Sequence, residues 1–104
     1  QRIQEVLSHP KQKMLKEDWA ELRRMIDEKI PSFYSEMNSY KGKLSQQDYD
    51  ICILVRLYLS PKEIVILTNN TSSAISMKRS RLLKKIFGID GSPEKFDEMV
   101  QKIF

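Results

Sequence analysis

A short apolar segment, Ile64-Val65-Ile66-Leu67, is held between a helix start signal and a chain-turning signal, and no other feature narrows the possible folds as much. Ser60 can accept the backbone N–H of Glu63 while the Glu63 carboxylate reaches back to Ser60. Pro61 occupies the first helical position, where its missing N–H costs nothing, and Leu59 is placed to pack on Ile64. The run Thr68-Asn69-Asn70-Thr71 then turns the chain with short polar side chains, and Thr71 can cap a further helix beginning at Ser72. A helix over 61–68 has barely two turns and would not persist alone, so it must be buried against neighbours. The helix that follows runs to a stop at Gly88. Its Ile75, Leu82 and Ile86 fall within roughly 40° of one another at about 100° per residue, with Leu83 at the edge of that stripe.

The rest of the chain reads as more helices around this pair. Ser45 and Asp48 form a second capping box, with Leu44 placed to pack on Tyr49. A helix over 46–57 follows, burying Tyr49, Cys52, Ile53 and either Val55 or the aliphatic stem of Arg56. Upstream, Asp18 is read as an N-cap with Glu21 three residues on, and Trp19, Leu22, Ile26 and Ile30 form one buried stripe. Pro31 begins a new helix or kinks the old one, Phe33, Tyr34 and Met37 supply the next apolar surface, and Gly42 marks a break over 40–43. Gly91-Ser92-Pro93 restarts the chain into a last helix whose apolar side is Phe96, Met99, Val100, Ile103 and Phe104.

With 104 residues and no strand-period stretch, the expectation is an all-α fold, a small helical bundle with one thin core. Residues 1–16 are a helical or disordered lead-in with scattered apolar positions (Ile3, Val6, Leu7, Met14, Leu15). Residues 17–43 form N-terminal helices packing on the core, and residues 44–104 carry the helix-turn-helix.

Charge is unevenly divided. Residues 1–55 carry nine basic and nine acidic side chains, whereas residues 56–104 carry nine basic and five acidic, so the whole excess of +4 lies in the second half. Lys78, Arg79, Arg81, Lys84 and Lys85 place five cations within eight positions, the pattern of a face that meets a polyanion or an acidic surface. Other chemistries lack their residues. The single cysteine, Cys52, allows no internal disulfide and reads as a small core residue, which fits a reducing compartment. With only His9 beside it, no zinc site is expected, and no cofactor is implied. No paired carboxylates at helical spacing inside an expected pocket and no glycine-rich phosphate cradle argue for an enzyme. No apolar run approaches the roughly 18 residues of a membrane span. Asn69-Asn70-Thr71 and Asn70-Thr71-Ser72 satisfy the glycosylation pattern but read more simply as turn and cap.

A short helix, a turn of about four residues and a second helix with one buried stripe is the sequence form of a helix-turn-helix, whose second helix enters a DNA major groove about 12 Å wide. The exposed side of that helix collects Ser73, Ser76, Met77, Ser80 and Lys84. The serines permit close approach and can bond base edges or phosphates, and Met77 can meet a thymine methyl. Lys78, Arg81, Lys84 and Lys85 supply the backbone-positioning charge, with Thr71 and Ser72 at the cap. Arg79 lies near the core stripe and is assigned, with Glu63, a structural role as an internal ion pair. Paired half-sites, and hence a homodimer, are expected because a lone recognition helix offers little contact area. The alternative is a protein-interaction module that retains the helix-turn-helix shape without binding DNA. RNA binding is disfavoured, since no exposed aromatic platform is evident.

The segment Lys62-Glu63-Ile64, Leu67, Thr71, Ala74-Ile75, Arg79, Leu82 and Lys85-Ile86 resembles the LuxR/GerE-type helix-turn-helix, a member of the winged-helix-like DNA-binding superfamily. Over roughly residues 17–104 the chain is similar to the C-terminal domain of a Bacteroidetes group of tetratricopeptide-containing transcriptional regulators. The matching stretches are Asp18-Trp19-Ala20-Glu21-Leu22, Ile26-Asp27, Pro31-Ser32-Phe33, Leu44-Ser45, Ile51-Cys52, Ser73-Ala74-Ile75-Ser76, Arg79-Ser80-Arg81-Leu82 and Phe87-Gly88. The resemblance implies a cytoplasmic DNA-binding output domain acting in transcription regulation, with double-stranded DNA as partner. It also implies upstream tetratricopeptide, coiled or membrane segments in the full-length protein, which would anchor it in the inner membrane. Val65 stands where the pattern usually has alanine, Asn70 where it is usually apolar, and Ala74 where it usually has threonine.

Overall fold

The caps written into the chain set the helix boundaries one by one. The structure, a computed structural model, describes residues 2–9, 11–38 and 44–103. Among these it forms α1 (Arg2–Ser8), α2 (Lys16–Lys29), α3 (Phe33–Asn38), α4 (Gln46–Arg56), α5 (Pro61–Thr68), α6 (Ser72–Phe87) and α7 (Pro93–Gln101), with no strand. The all-α bundle expected from the sequence is therefore the fold. The Gly42 break and the place of Phe104 on the last helix lie outside the described residues.

Ser45 Oγ accepts the Asp48 N–H at 3.0 Å and Ser60 Oγ accepts the Glu63 N–H at 3.2 Å, each with the reciprocal carboxylate bond in place. Thr71 Oγ1 accepts from Ala74 at 3.1 Å, so α6 starts where its cap residue predicts, and Ser92 Oγ accepts from Lys95 at 3.2 Å, so Ser92 caps α7 just ahead of Pro93. Each such cap is worth about 1 kcal/mol.

The start of α2 differs from the expectation. Asp18 is not the N-cap: the helix begins three residues earlier than such a cap would set, at Lys16 with Leu15 as its cap position, and the Asp18 carboxylate reaches back to accept the Leu15 N–H at 2.7 Å. The same carboxylate accepts Arg2 Nε of α1 at 2.9 Å. A carboxylate in the third helical position satisfies orphan amides as well as a cap does, and the cross-helix arginine favours it there. Those two bonds, the Leu15 amide first, hold the Asp18 carboxyl below its ordinary value against a smaller opposing effect of burial.

Helix α4 is the axis of the bundle. One buried stripe was expected on it, but Tyr49, Asp50, Ile51, Cys52, Ile53, Leu54 and Val55 are all buried, because α2, α3, α5 and α7 pack around it. A helix buried around its whole circumference over 49–55 is enclosed by its neighbours along that stretch. Cys52 lies fully inside, and burial pushes its thiol far above the ordinary range, which leaves it unreactive. Leu22, Ile26 and Ile30 form the buried stripe of α2, with Trp19 only half-buried at its end. Pro31 sits in the turn between α2 and α3. Phe33 and Met37 are buried, whereas Tyr34 is exposed and meets the Tyr49 ring edge-on at 5.0 Å. The lead-in joins the core, since α1 packs on α5 through buried Ile3 and Val6.

The C-terminal end is tied back to α4. Arg56 Nε donates to the Ile103 carbonyl at 2.7 Å, and Gln101 Nε2 donates to the Val55 carbonyl at 3.2 Å. Between α4 and α5, Tyr58 takes a left-handed conformation (φ 65°), is 65% exposed and donates its hydroxyl to the Gln101 carbonyl at 3.4 Å. A bulky residue at positive φ carries backbone strain, and nothing local in the sequence signals it there.

Candidate nucleic-acid interface

Helix α5 is the short prop that its sequence describes. Ile64 and Leu67 are buried, and Thr68 Oγ1 donates to the Ile64 carbonyl at 2.6 Å. Asn69 ends the helix in the left-handed region (φ 54°), a conformation that asparagine tolerates better than most residues, and the Asn70 N–H donates to the Val65 carbonyl. The Asn70 side chain, at a position where an apolar anchor was expected, leaves its buried Nδ2 without a hydrogen-bond partner among the described residues. The turn thus keeps its shape at the energetic cost of one orphaned donor.

This prop and α7 grip α6 on one side. Ile75, Leu82, Leu83 and Ile86 are buried, as the stripe requires. Gly88 closes the helix at φ 70°, donating its N–H to the Lys84 carbonyl at 2.9 Å. The next restart is close-packed, since a Cβ on Gly91 would stand 3.1 Å from Leu83 Cδ2.

Arg79 has the structural role assigned to it but a different partner. Its side chain is 2% exposed, and it grips Asp97 of α7 with two nitrogens, Nε donating to Oδ1 at 3.0 Å and Nη2 to Oδ2. Glu63 is not involved, because its carboxylate is bonded to the Ser60 N–H at 2.8 Å. A local capping bond claims Glu63, and the packing of α7 on α6 presents Asp97 instead.

The opposite side of α6 is left open. Ser72, Ser73, Met77, Arg81 and Lys84 are exposed, Ser76, Lys78, Ser80 and Lys85 are half-buried, and Thr71 is exposed at the cap. Met77 alone shows 66% of its surface. Helix α7 packs from the Arg79 side and leaves Ser73 and Met77 uncovered. Six of the ten residues read as contacts from the sequence are therefore exposed and four are half-buried.

The cations of that face are less free than the sequence run suggests. Lys78 Nζ donates to Gln47 Oε1 of α4 at 3.0 Å, Lys84 stands 3.5 Å from Asp90, and Lys85 stands 3.9 Å from Asp48. Arg81 is exposed and has no partner among the described residues. The exposed Lys84–Asp90 pair is worth about 0–1 kcal/mol, so a phosphate can displace it, whereas Arg79 is committed to the interior. The acids that temper the face come from α4 and from the α6–α7 connection, at separations no helical spacing reveals.

Among the described residues no cluster of three or more His, Cys, Asp or Glu side chains could hold a metal ion, and no helix is long and apolar enough to cross a membrane. The chain matches no protein-family model, and neither curated proteins nor solved structures give a significant match to it.

Proposed function

We propose that this chain is a DNA-binding output domain of a bacterial transcriptional regulator, with α6 as a recognition helix in the major groove. One observation carries the reading: a two-turn helix anchored by buried Ile64 and Leu67, a left-handed turn at Asn69 and a long capped helix that leaves Ser72, Ser73, Met77, Arg81 and Lys84 exposed. In this arrangement Ser73, Ser76 and Ser80 let the helix approach the bases, Met77 supplies an apolar contact, and the Thr71 cap leaves first-turn amides facing a phosphate. Lys78, Arg81, Lys84 and Lys85 meet the strands on either side. The resemblance to the LuxR/GerE-type pattern supports the same reading and extends it to cytoplasmic placement and action as a homodimer on paired half-sites.

Duplex DNA titrated by fluorescence anisotropy over a range of salt tests this directly. With Arg79 withdrawn into the core, three to four phosphates are neutralised, so log Kd against log salt should have a slope of about 3 to 4 in magnitude. Arg81→Ala and Lys84→Ala should each reduce that slope by about 1 with the fold intact. A salt-independent affinity, or one unmoved by both substitutions, would remove α6 from the mechanism. If a protein partner is lost in those variants and no DNA effect is seen, the face serves a protein instead.

A further inference from the structure

A cavity of about 370 Å³ opens between the start of α2, the start of α4 and the end of α5, large enough for a small ligand. Its apolar wall includes Trp19, Met14 and Leu67, and its polar lining includes Asp50, the side-chain amides of Gln46, Gln47 and Asn69, and Thr68, whose hydroxyl is spent on the Ile64 carbonyl. Asp50 is only 7% exposed, and both its oxygens accept from a single nitrogen of Arg23, at 2.9 and 3.2 Å. The charge is thereby compensated, while each carboxylate oxygen keeps a further acceptor position. A ligand anion would face Asp50, and a ligand cation would compete with Arg23. Lys13, also at this cavity, is exposed to water. The complement of an indole wall, a compensated acceptor and several amides is a flat neutral molecule with N–H donors and ring acceptors.

We propose that this cavity binds a neutral, planar nitrogen heterocycle of about nucleobase size, and that its occupancy is transmitted to α6. Two lining residues provide the route. Gln47 holds Lys78 of α6 through Oε1, and Asn69 is the left-handed residue that sets the α5–α6 turn. Ligand binding stands on the cavity alone, whereas its effect on DNA rests on the function proposed above.

Trp19 is the only tryptophan, so its emission reads the cavity directly. The full chain is titrated with adenine, and with benzoate as an anionic comparator, exciting at the red edge of the indole band. Adenine should produce a saturable change in emission and shift the side-chain amide NMR signals of Gln46, Gln47 and Asn69, while benzoate should not. Gln46→Leu, an exposed position, and Asp50→Asn should each weaken adenine binding by about tenfold, and an unchanged melt of Gln46→Leu separates lost contact from lost fold. No saturable response to adenine, an equal response to benzoate, or full affinity in both variants would overturn the site. In a second arm, saturating adenine should change duplex affinity by at least about fivefold, and Lys78→Ala, whose side chain lies outside the cavity lining, should abolish that change while still binding adenine. Adenine binding with unaltered DNA affinity would overturn the coupling. Adenine binding by a chain that binds no DNA would support the cavity and reject the proposed role of α6.

Discussion

Removing Asp97 should be among the costliest single changes to the surface of this protein, although that residue belongs to no predicted contact set. In the Asp97→Ala variant the Arg79 guanidinium, 2% exposed, loses the carboxylate that grips it and stays trapped between α6 and α7. Breaking a buried ion pair from one side typically costs about 3–5 kcal/mol. Asp97 itself is 21% exposed, so water reaches the vacated side and the lower end applies, about 3 kcal/mol. At about 4–8 °C per kcal/mol for a domain of this size, the midpoint should fall by about 15 °C. Arg79→Met should cost less, about 1 kcal/mol, because the apolar stem is kept and the remaining carboxylate can turn to water. The double variant should then be more stable than Asp97→Ala alone, with a coupling of about 2 kcal/mol. Urea unfolding followed by helical circular dichroism measures all four corners of the cycle. Purely additive costs, or an Asp97→Ala midpoint within about 3 °C of the parent, would refute the buried-charge argument. The parallel cycle between Arg79 and Glu63 should show no coupling, since the two do not interact.

Three further outcomes follow from local geometry. Gly88→Ala should cost about 1 kcal/mol, from the left-handed backbone alone, because a Cβ there meets no atom within 4 Å; a neutral change in thermal midpoint would contradict the C-cap role. Asn70→Leu should stabilise the protein by about 1 kcal/mol by removing the orphaned buried donor, and a destabilised variant in urea would show that the amide is satisfied in solution. Asp18→Asn should lower stability at neutral pH. Because the folded carboxyl lies below its ordinary value of 3.8, its contribution is present above that value and lost as pH falls through the folded one, so the gap between parent and variant should close in acid. A gap independent of pH would mean that the charge of Asp18 contributes nothing.

What the sequence determined by itself is local. The two capping boxes, the Thr71 and Ser92 caps, the proline at the first helical position of α5 and α7 and the glycine stop at residue 88 are interactions within four residues, so their spacing along the chain is already their geometry in space. The buried stripe of α6 was legible for the same reason, since a helix converts sequence period into a face. Where the local rule allowed two answers, as with a carboxylate serving as cap or as third residue, contact with Arg2 decided for Asp18. Only the tertiary structure could show that α4 is enclosed on every side, that Arg79 belongs to Asp97, that Lys78 and Lys85 lean on Gln47 and Asp48, and that Tyr58 is held at positive φ beside Gln101. Each joins residues 18 or more positions apart, or depends on how many neighbours surround a helix, and burial, charge pairing and backbone strain at that range are set by the packing of helices.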